Sequence, residues 1–172
     1  MQTKKIVLTG GPGTGKSSII LALENLGEYT IREAAEDWIK YRQAYGIKEP
    51  WLEENFQDNI LELQLLRESR IPEKATKLFI DRGIADGLAY ATPGTTIYER
   101  IKCAAEKTRY DKIFLIEHLE ETEKTEVRRE NHEEALRIGD KLEKVYSELG
   151  YHITRIEKAP LSKRVQQVRE LA

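Results

Sequence analysis

Cysteine and histidine are scarce in this sequence. Cys103 is the one cysteine among 172 residues, so no intrachain disulfide can form. The three histidines form no Cys/His spacing of a zinc site. No apolar run approaches the ~20 residues that span a bilayer. Residues 1–10 run straight into a strand pattern without a signal-peptide core, which predicts a soluble, cytoplasmic protein with no membrane span.

An excess of one charge is also lacking. Charged residues make up 34% of the chain, yet 28 basic and 30 acidic side chains leave a net charge of −2. Such a balance provides no field that would attract nucleic acid, and no basic stripe with interleaved aromatic residues occurs, so no nucleic-acid partner is expected. The length predicts a single domain over residues 1–172 and leaves the oligomeric state open.

Glycine, by contrast, is concentrated in one place. The stretch LTGGPGTGKSS contains Gly10-x-x-x-x-Gly15-Lys16-Ser17, preceded by an apolar strand and followed by a helical pattern. This spacing predicts a loop whose backbone N–H groups surround the phosphates of a nucleotide, with Lys16 on the β- and γ-phosphates and Ser17 on Mg²⁺. The expected nucleotide-binding residues are Gly11, Pro12, Gly13, Thr14, Gly15, Lys16, Ser17 and Ser18.

Strand and helix patterns alternate along the whole chain, which predicts an α/β fold with helices on both faces of a five-stranded parallel sheet. The strands are expected within 5–9, 28–35, 77–81, 110–117 and 151–156. A long helix is expected from Pro50 to Pro72, with Leu52, Phe56, Ile60 and Leu63 as its buried face. Further helical segments are expected at 82–91, 96–108 and up to Leu149. The polar stretch at about 118–130 is predicted to be a mobile lid.

The end of the third predicted strand favours one class of nucleotide-binding protein. Asp-x-x-Gly after this strand and Asn-Lys-x-Asp, both typical of Ras-like GTPases, are missing. The strand ends in Asp81-Arg82 rather than Asp-Glu, and an arginine cannot act as the base that activates water. Because arginine can clamp a phosphate or a substrate oxygen, the pattern favours a small-molecule kinase.

Several side chains are candidates for the transfer step. Glu33, after the second strand, could accept the proton of the acceptor hydroxyl, or Asp81 could do so instead of holding Mg²⁺. Arg82, together with Arg128 or Arg129 from the predicted lid, would neutralise the transferred phosphoryl group. Trp38, Trp51 and Tyr45 could form a substrate platform or belong to the core, and Trp38 is included among the substrate-binding candidates.

Taken together, these segments resemble the AAA_28 group of P-loop domains, which includes NadR-type ribosylnicotinamide kinase domains and eukaryotic GTP-binding relatives. The matching segments cover essentially the whole chain. They are GGPGTGKSS, REAAE, the helix positions Phe56, Ile60, Gln64 and Glu68, DRGIADGLAY, VRRE, ELGY and APLSKRV.

The resemblance implies a nucleoside-kinase-like fold that uses ATP or GTP with Mg²⁺. It implies an acceptor pocket between Glu33, the long helix near Gln64, and Asp81-Arg82. Arg128 would match the lid arginine of the family, and Pro160 to Arg164 would lie beside the nucleotide base. The implied acceptor is a small molecule such as a nucleoside. The eukaryotic relatives support an alternative, a nucleotide-dependent switch that binds a protein or lipid partner.

Overall fold

The computed structural model describes residues 3–118 and 132–172, and its five strands form one parallel sheet. The strands are β1 (Lys4–Thr9), β2 (Tyr29–Ile31), β3 (Lys77–Asp81), β4 (Lys112–Ile116) and β5 (Ile153–Ile156). Their order across the sheet is β2-β3-β1-β4-β5, and every neighbouring pair is parallel. The predicted five-stranded parallel sheet is therefore confirmed.

Helices cover both faces of this sheet. The α-helices are α1 (Lys16–Asn25), α2 (Ala34–Ala44), α3 (Phe56–Ser69), α4 (Thr96–Lys107), α5 (His132–Glu148) and α6 (Leu161–Leu171). Two 3₁₀ helices lie at Pro50–Leu52 and Ile84–Ala89. None of the helices within the described residues has the length and apolar character that a transmembrane segment needs.

Side-chain alternation along the central strand divides the core into two clusters. Ile6 and Leu8 of β1 pack with apolar residues of α1 and α6, whereas Val7 points to the opposite face and packs with Leu61, Ile101 and other residues. All three β1 side chains are fully buried. Because β1 lies between β3 and β4, the chain crosses to opposite sides of it, and the carboxyl ends of the strands form a crevice there.

The prediction of one long helix from Pro50 was wrong. After the 3₁₀ helix the backbone is extended at Glu53, and α3 begins only at Phe56. The side chain of Leu52 is consequently 71% exposed rather than buried. The buried residues of α3 are Leu61, Gln64 and Glu68, because this helix turns a polar stripe toward the interior.

Two further segments differ from their predicted form. The segment at 82–91 forms a 3₁₀ helix over Ile84–Ala89, and Asp86 near its start accepts a hydrogen bond from the backbone N–H of Gly83. On α5, Ala135, Ile138 and Leu142 are buried as expected, whereas Val145 and Leu149 are only partly buried and Tyr146 is fully buried. The predicted lid at about 118–130 lies almost entirely outside the described residues.

Helix α5 packs directly against the glycine loop that follows β1. A Cβ atom on Gly11 would lie 2.2 Å from the carbonyl oxygen of Ala135, so only glycine fits at this position. Across the same contact, a Cβ on Gly139 would meet only the Gly11 nitrogen, at 3.8 Å, which is an ordinary van der Waals separation.

The two facing glycines are therefore expected to respond oppositely to alanine. Gly11→Ala should lower the free energy of unfolding by about 1–3 kcal/mol, since α5 must shift to accommodate the methyl group. Gly139→Ala should raise it by about 0.5–1 kcal/mol, since glycine within a helix is unfavourable. Urea denaturation of both variants measures this, and a Gly11→Ala protein as stable as the parent would contradict the contact.

Candidate functional site

The glycine loop between β1 and α1 is shaped around the ammonium group of Lys16. Gly10, Gly13 and Gly15 have φ values of 138°, 76° and 83°, which side chains rarely tolerate. The Lys16 ammonium donates to the carbonyl oxygens of Gly10 (2.9 Å) and Gly11 (2.8 Å) and to Thr14 Oγ1 (3.1 Å). The loop thus has the conformation of a phosphate-binding loop, with its lysine buried inside it.

Arg164 on α6 supports the outer side of this loop. Its Nη1 donates to the carbonyl oxygen of Thr14 at 2.7 Å, and a Cβ on Gly15 would lie 2.8 Å from its Nη2. Its side chain is buried, and burial lowers the pKa of its guanidinium. Pro160, the other residue expected beside a nucleotide base, lies at the N-cap of α6.

Ser17 and Asp81 form the next part of the site. The Ser17 hydroxyl donates to Asp81 Oδ2 at 2.8 Å, which joins the start of α1 to the end of β3. Asp81 Oδ1 is buried and has no hydrogen-bond partner. A hydroxyl and a carboxylate with an unsatisfied oxygen suit Mg²⁺, which binds hard oxygen ligands and needs few from the protein. The residues present therefore fit a magnesium ion here.

Burial dominates the titration of Asp81. Together with the charge of Glu33 it raises the pKa of Asp81 to about 6, against the opposing effects of Lys16, Arg82 and Ser17. Because the folded-state pKa lies above the unfolded value of 3.8, the folded protein binds this proton more tightly. This contribution to stability is present below about pH 4 and is lost as the pH rises through about 6.

Asp81→Asn is therefore expected to stabilise the metal-free protein at pH 8, because the amide removes a buried, incompletely solvated charge. The difference in Tm from the parent should shrink as the pH falls toward 4, with each kcal/mol worth about 2–4 °C. Thermal denaturation in chelator between pH 4 and 8 measures it. A variant no more stable than the parent at pH 8 would show that Asp81 is not penalised by its burial.

Arg82 and Glu33 lie beside Asp81 at the carboxyl ends of β3 and β2. Arg82 Nε is 3.3 Å from Glu33 Oε1, an ion pair in which both side chains are about nine-tenths buried. The Arg82 guanidinium also lies over the Tyr90 ring, 5.4 Å from its centroid. Three residues that the sequence picked out independently, Glu33, Asp81 and Arg82, are thus brought together.

The backbone of Arg82 is unusual, with a φ of 65° in a residue other than glycine. Its N–H donates to the Leu8 carbonyl at 3.1 Å, and its own carbonyl accepts from Gln64 Nε2 at 3.2 Å. Glu68 Oε1 in turn accepts from Gln64 Nε2 and from the Tyr110 hydroxyl, each at 2.9 Å. Gln64, predicted to bind substrate, therefore also supports the strained backbone of Arg82.

A cavity of about 400 Å³ opens beside these residues. Its polar end is formed by Glu33, Arg82, Asp86 and Gln64, and most of its remaining wall is apolar. The other lining residues include Ile39, Trp51, Phe56, Ile60, Leu61, Ile84, Tyr90, Ile101 and Glu134. A mostly apolar cavity with a few convergent polar groups is typical of a small-molecule site.

The structure separates the three aromatic candidates. Trp38 is not among the residues that line the cavity, and its ring instead packs against Tyr41 with centroids 5.3 Å apart. Trp51 lines the cavity, and Tyr45 is 71% exposed. Arg128 and Arg129 lie outside the described residues and remain predicted lid cations.

Two buried residues of the site were missed as functional candidates. In the sequence, Asp86 stands out only as part of the matching DRGIADGLAY segment, and no motif includes Tyr146. The Tyr146 hydroxyl donates to Asp86 Oδ2 at 2.6 Å, although the two residues are 60 positions apart. The sequence does contain one indication of this pair: Tyr146 lies on the apolar stripe of α5. A tyrosine on a buried helix face needs a polar partner for its hydroxyl.

The glycine loop, its buried lysine and the parallel sheet define a P-loop nucleotide-binding domain with a kinase-like fold. The sequence matches the AAA domain family AAA_28 over residues 5–164, and the chain belongs to this family. No match was found among curated proteins.

Solved structures share the fold at low identity. NadR in complex with NAD and AMP-PNP is 17% identical, with a TM-score of 0.70, and covers 98% of this chain. NadR in complex with NR is 16% identical, with a TM-score of 0.72. The chain spans about half of those NadR chains, 48% and 50%.

Two other solved structures are similar over nearly their whole length. Deoxyadenosine kinase from M. mycoides is 14% identical, with a TM-score of 0.67 and 97% of both chains covered. Shikimate kinase from Acinetobacter baumannii is 14% identical over 99% of this chain and 93% of its own, with a TM-score of 0.60.

Proposed function

We propose that this protein is a small-molecule kinase that transfers the γ-phosphoryl group of Mg·ATP to a hydroxyl of a nucleoside-like acceptor. The observation that carries the proposal is the position of the cavity. Its polar end, at Glu33 and Arg82, lies next to the Ser17–Asp81 pair and the phosphate-binding loop. An acceptor in the cavity would therefore present its hydroxyl toward the end of a nucleotide held by the loop.

The loop residues have the chemistry that this nucleotide requires. Lys16 would exchange its three loop oxygens for oxygens of the β- and γ-phosphates. Ser17 and Asp81 would hold Mg²⁺, which supplies charge neutralisation at the phosphates when bound. Phosphoryl transfer depends mostly on positioning and charge neutralisation, so the buried cations Lys16 and Arg82 are well suited to it.

The acceptor side would be handled by the Glu33–Arg82 pair. Glu33 would take the proton of the attacking hydroxyl while a bond forms from the hydroxyl oxygen to the γ-phosphorus. The bond from that phosphorus to the β–γ bridging oxygen breaks, which leaves ADP and a phosphorylated acceptor. Arg82 would stabilise the negative charge on the transferred group.

The lining and the volume of the cavity support a small, partly apolar acceptor. The aromatic rings of Trp51, Phe56 and Tyr90 line it, and about 400 Å³ lies within the range of small-molecule sites. Two proteins of similar fold support this class: NadR was solved in complex with NR, and another neighbour is a deoxyadenosine kinase. These likenesses support the class of acceptor and leave its identity to experiment.

An acceptor screen tests the proposal. The protein is incubated with Mg·ATP, and separately with Mg·GTP, against nicotinamide riboside, ribo- and deoxyribonucleosides and shikimate. Nucleoside diphosphate release is followed, with Lys16→Ala as the blank. We expect one acceptor to raise the rate many-fold, and mass spectrometry to find the acceptor heavier by one phosphoryl group. A flat panel with intact nucleotide binding would overturn the kinase assignment and favour a nucleotide-dependent switch.

A further inference from the structure

Asp86 is a buried carboxylate of the site with four hydrogen-bond donors around it. Its Oδ1 accepts from Thr9 Oγ1 at 2.8 Å and lies 3.3 Å from Arg82 Nη1. Its Oδ2 accepts from the Gly83 N–H at 3.1 Å and from the Tyr146 hydroxyl at 2.6 Å. A carboxylate offers about four lone-pair sites, so all of them are occupied.

Because all four lone-pair sites are occupied, Asp86 is better suited to orienting Arg82 than to binding a substrate. The carboxylate lines the cavity but is only 3% exposed, and a substrate could bind it only by displacing one of the four donors. Its contact with Arg82, in contrast, fixes one edge of the guanidinium, while Glu33 lies at the Nε edge. Because the guanidinium is planar, contacts at two edges set the orientation of the whole group.

Tyr146 connects this carboxylate to α5. Burial and the neighbouring Asp86 raise the pKa of Tyr146 well above its ordinary value, so the phenol stays protonated and remains the donor. The backbone leaves room for it only because residue 83 is glycine: a Cβ there would lie 2.6 Å from the Tyr146 hydroxyl oxygen. The same helix contacts the glycine loop through Ala135, so α5 contacts both the loop and the Arg82 assembly.

We propose that Asp86 and Tyr146 are positioning residues for Arg82: Tyr146 holds the Asp86 carboxylate, and Asp86 holds the guanidinium toward the cavity. The role in transfer rests on the proposed kinase function, whereas the effect on Arg82 itself does not. Loss of the Tyr146 hydroxyl frees one lone pair of Asp86, and the carboxylate can then rotate away from Arg82. The orientation of Arg82 becomes less defined although no charge is removed.

Tyr146→Phe is the test variant, and Tyr151→Phe is its matched control. The Tyr151 ring packs against Tyr146 at 5.7 Å, and its hydroxyl donates to the Thr108 carbonyl at 3.1 Å rather than to Asp86. Both variants lose one hydrogen-bonded phenol from the same cluster. A purely structural role would therefore lower the stability of both variants and leave the mobility of Arg82 unchanged in both.

The first measurement needs no acceptor. NMR of protein labelled with ¹⁵N-arginine reports the mobility of the Arg82 Nε–H group, whose signal is assigned by its loss in Arg82→Lys. We expect the heteronuclear NOE of this signal to fall in Tyr146→Phe and to match the parent in Tyr151→Phe. Equal values in all three proteins, or an equal fall in both variants, would overturn the proposal even if the protein proves to be a kinase.

The second measurement uses the acceptor and nucleotide that the screen identifies. Tyr146→Phe should lower kcat about tenfold, as expected for a misplaced catalytic group, while the Kd for the nucleotide stays within about twofold. Tyr151→Phe should retain the parental kcat. An unchanged kcat in Tyr146→Phe would overturn the role in transfer. A flat acceptor screen would remove the proposed function and leave the NMR result to decide the positioning of Arg82.

Discussion

Lys16→Ala is expected to lower acceptor-dependent turnover by at least about 100-fold and to weaken nucleotide binding. In the structure the Lys16 ammonium is buried, with only 2% of the residue exposed, and three loop oxygens surround it. The conformation of the loop is built around this side chain, so alanine leaves those three oxygens without their shared cationic donor. Steady-state kinetics and titration with a fluorescent ATP analogue measure the two effects.

Loss of charge by itself must be separated from loss of this particular lysine. Lys144→Ala provides the matched control, since Lys144 lies on the exposed side of α5 and pairs only loosely with Glu148, at 3.8 Å. An exposed ion pair of this kind contributes little to stability, so the kinetics of Lys144→Ala should match those of the parent. Turnover by Lys16→Ala within threefold of the parent would refute the role of the loop in catalysis.

Glu33→Gln is the other substitution with a large expected effect. If Glu33 accepts the hydroxyl proton, the amide should lower kcat by about 10²–10⁴-fold, while nucleotide affinity remains nearly unchanged. The variant keeps the shape of the side chain, and Arg82 retains Asp86 as a buried anionic partner. The fold should therefore survive, which circular dichroism and the Tm will establish before the kinetics are interpreted.

Two comparisons make this result specific. Glu24→Gln also removes a carboxylate paired with an arginine, Arg32 at 3.1 Å, but at the exposed surface, and it should have no effect on kcat. Asp81→Asn should raise the Mg²⁺ concentration needed for half-maximal rate, whereas Glu33→Gln should not. If the Glu33→Gln enzyme transfers phosphate at the parental rate, Asp81 becomes the candidate base.

The glycine loop was predictable from the sequence because its chemistry is local. Gly10, Gly15, Lys16 and Ser17 lie within eight consecutive residues between a strand and a helix. All the groups needed to bind the phosphates of a nucleotide are therefore close together in the sequence. The alternation of strands and helices likewise predicted the parallel sheet. Glu33 and Asp81 could be proposed because the carboxyl ends of parallel strands meet at one edge of a sheet.

Other features could not be predicted because they depend on distant contacts. Trp51 lines the cavity from the 3₁₀ helix at Pro50–Leu52, whereas Trp38 on α2 does not line it, and no local pattern in the sequence distinguishes the two. Gln64 was expected to bind substrate, yet its amide hydrogen-bonds the Arg82 carbonyl, 18 positions away. A helical periodicity shows which residues share a face, but it does not show what that face will meet.

The sequence by itself determined the phosphate-binding loop, the class of fold and the acids and arginine at the strand ends, because each follows from short-range spacing and strand order. The tertiary structure alone decided how Arg82 is held. Its left-handed backbone, its ion pair with Glu33 and the saturated carboxylate of Asp86 depend on β1, β2, α3 and α5 meeting at one point. Packing brings those elements together because β1 and β2 belong to one sheet, against which α3 and α5 bury apolar residues.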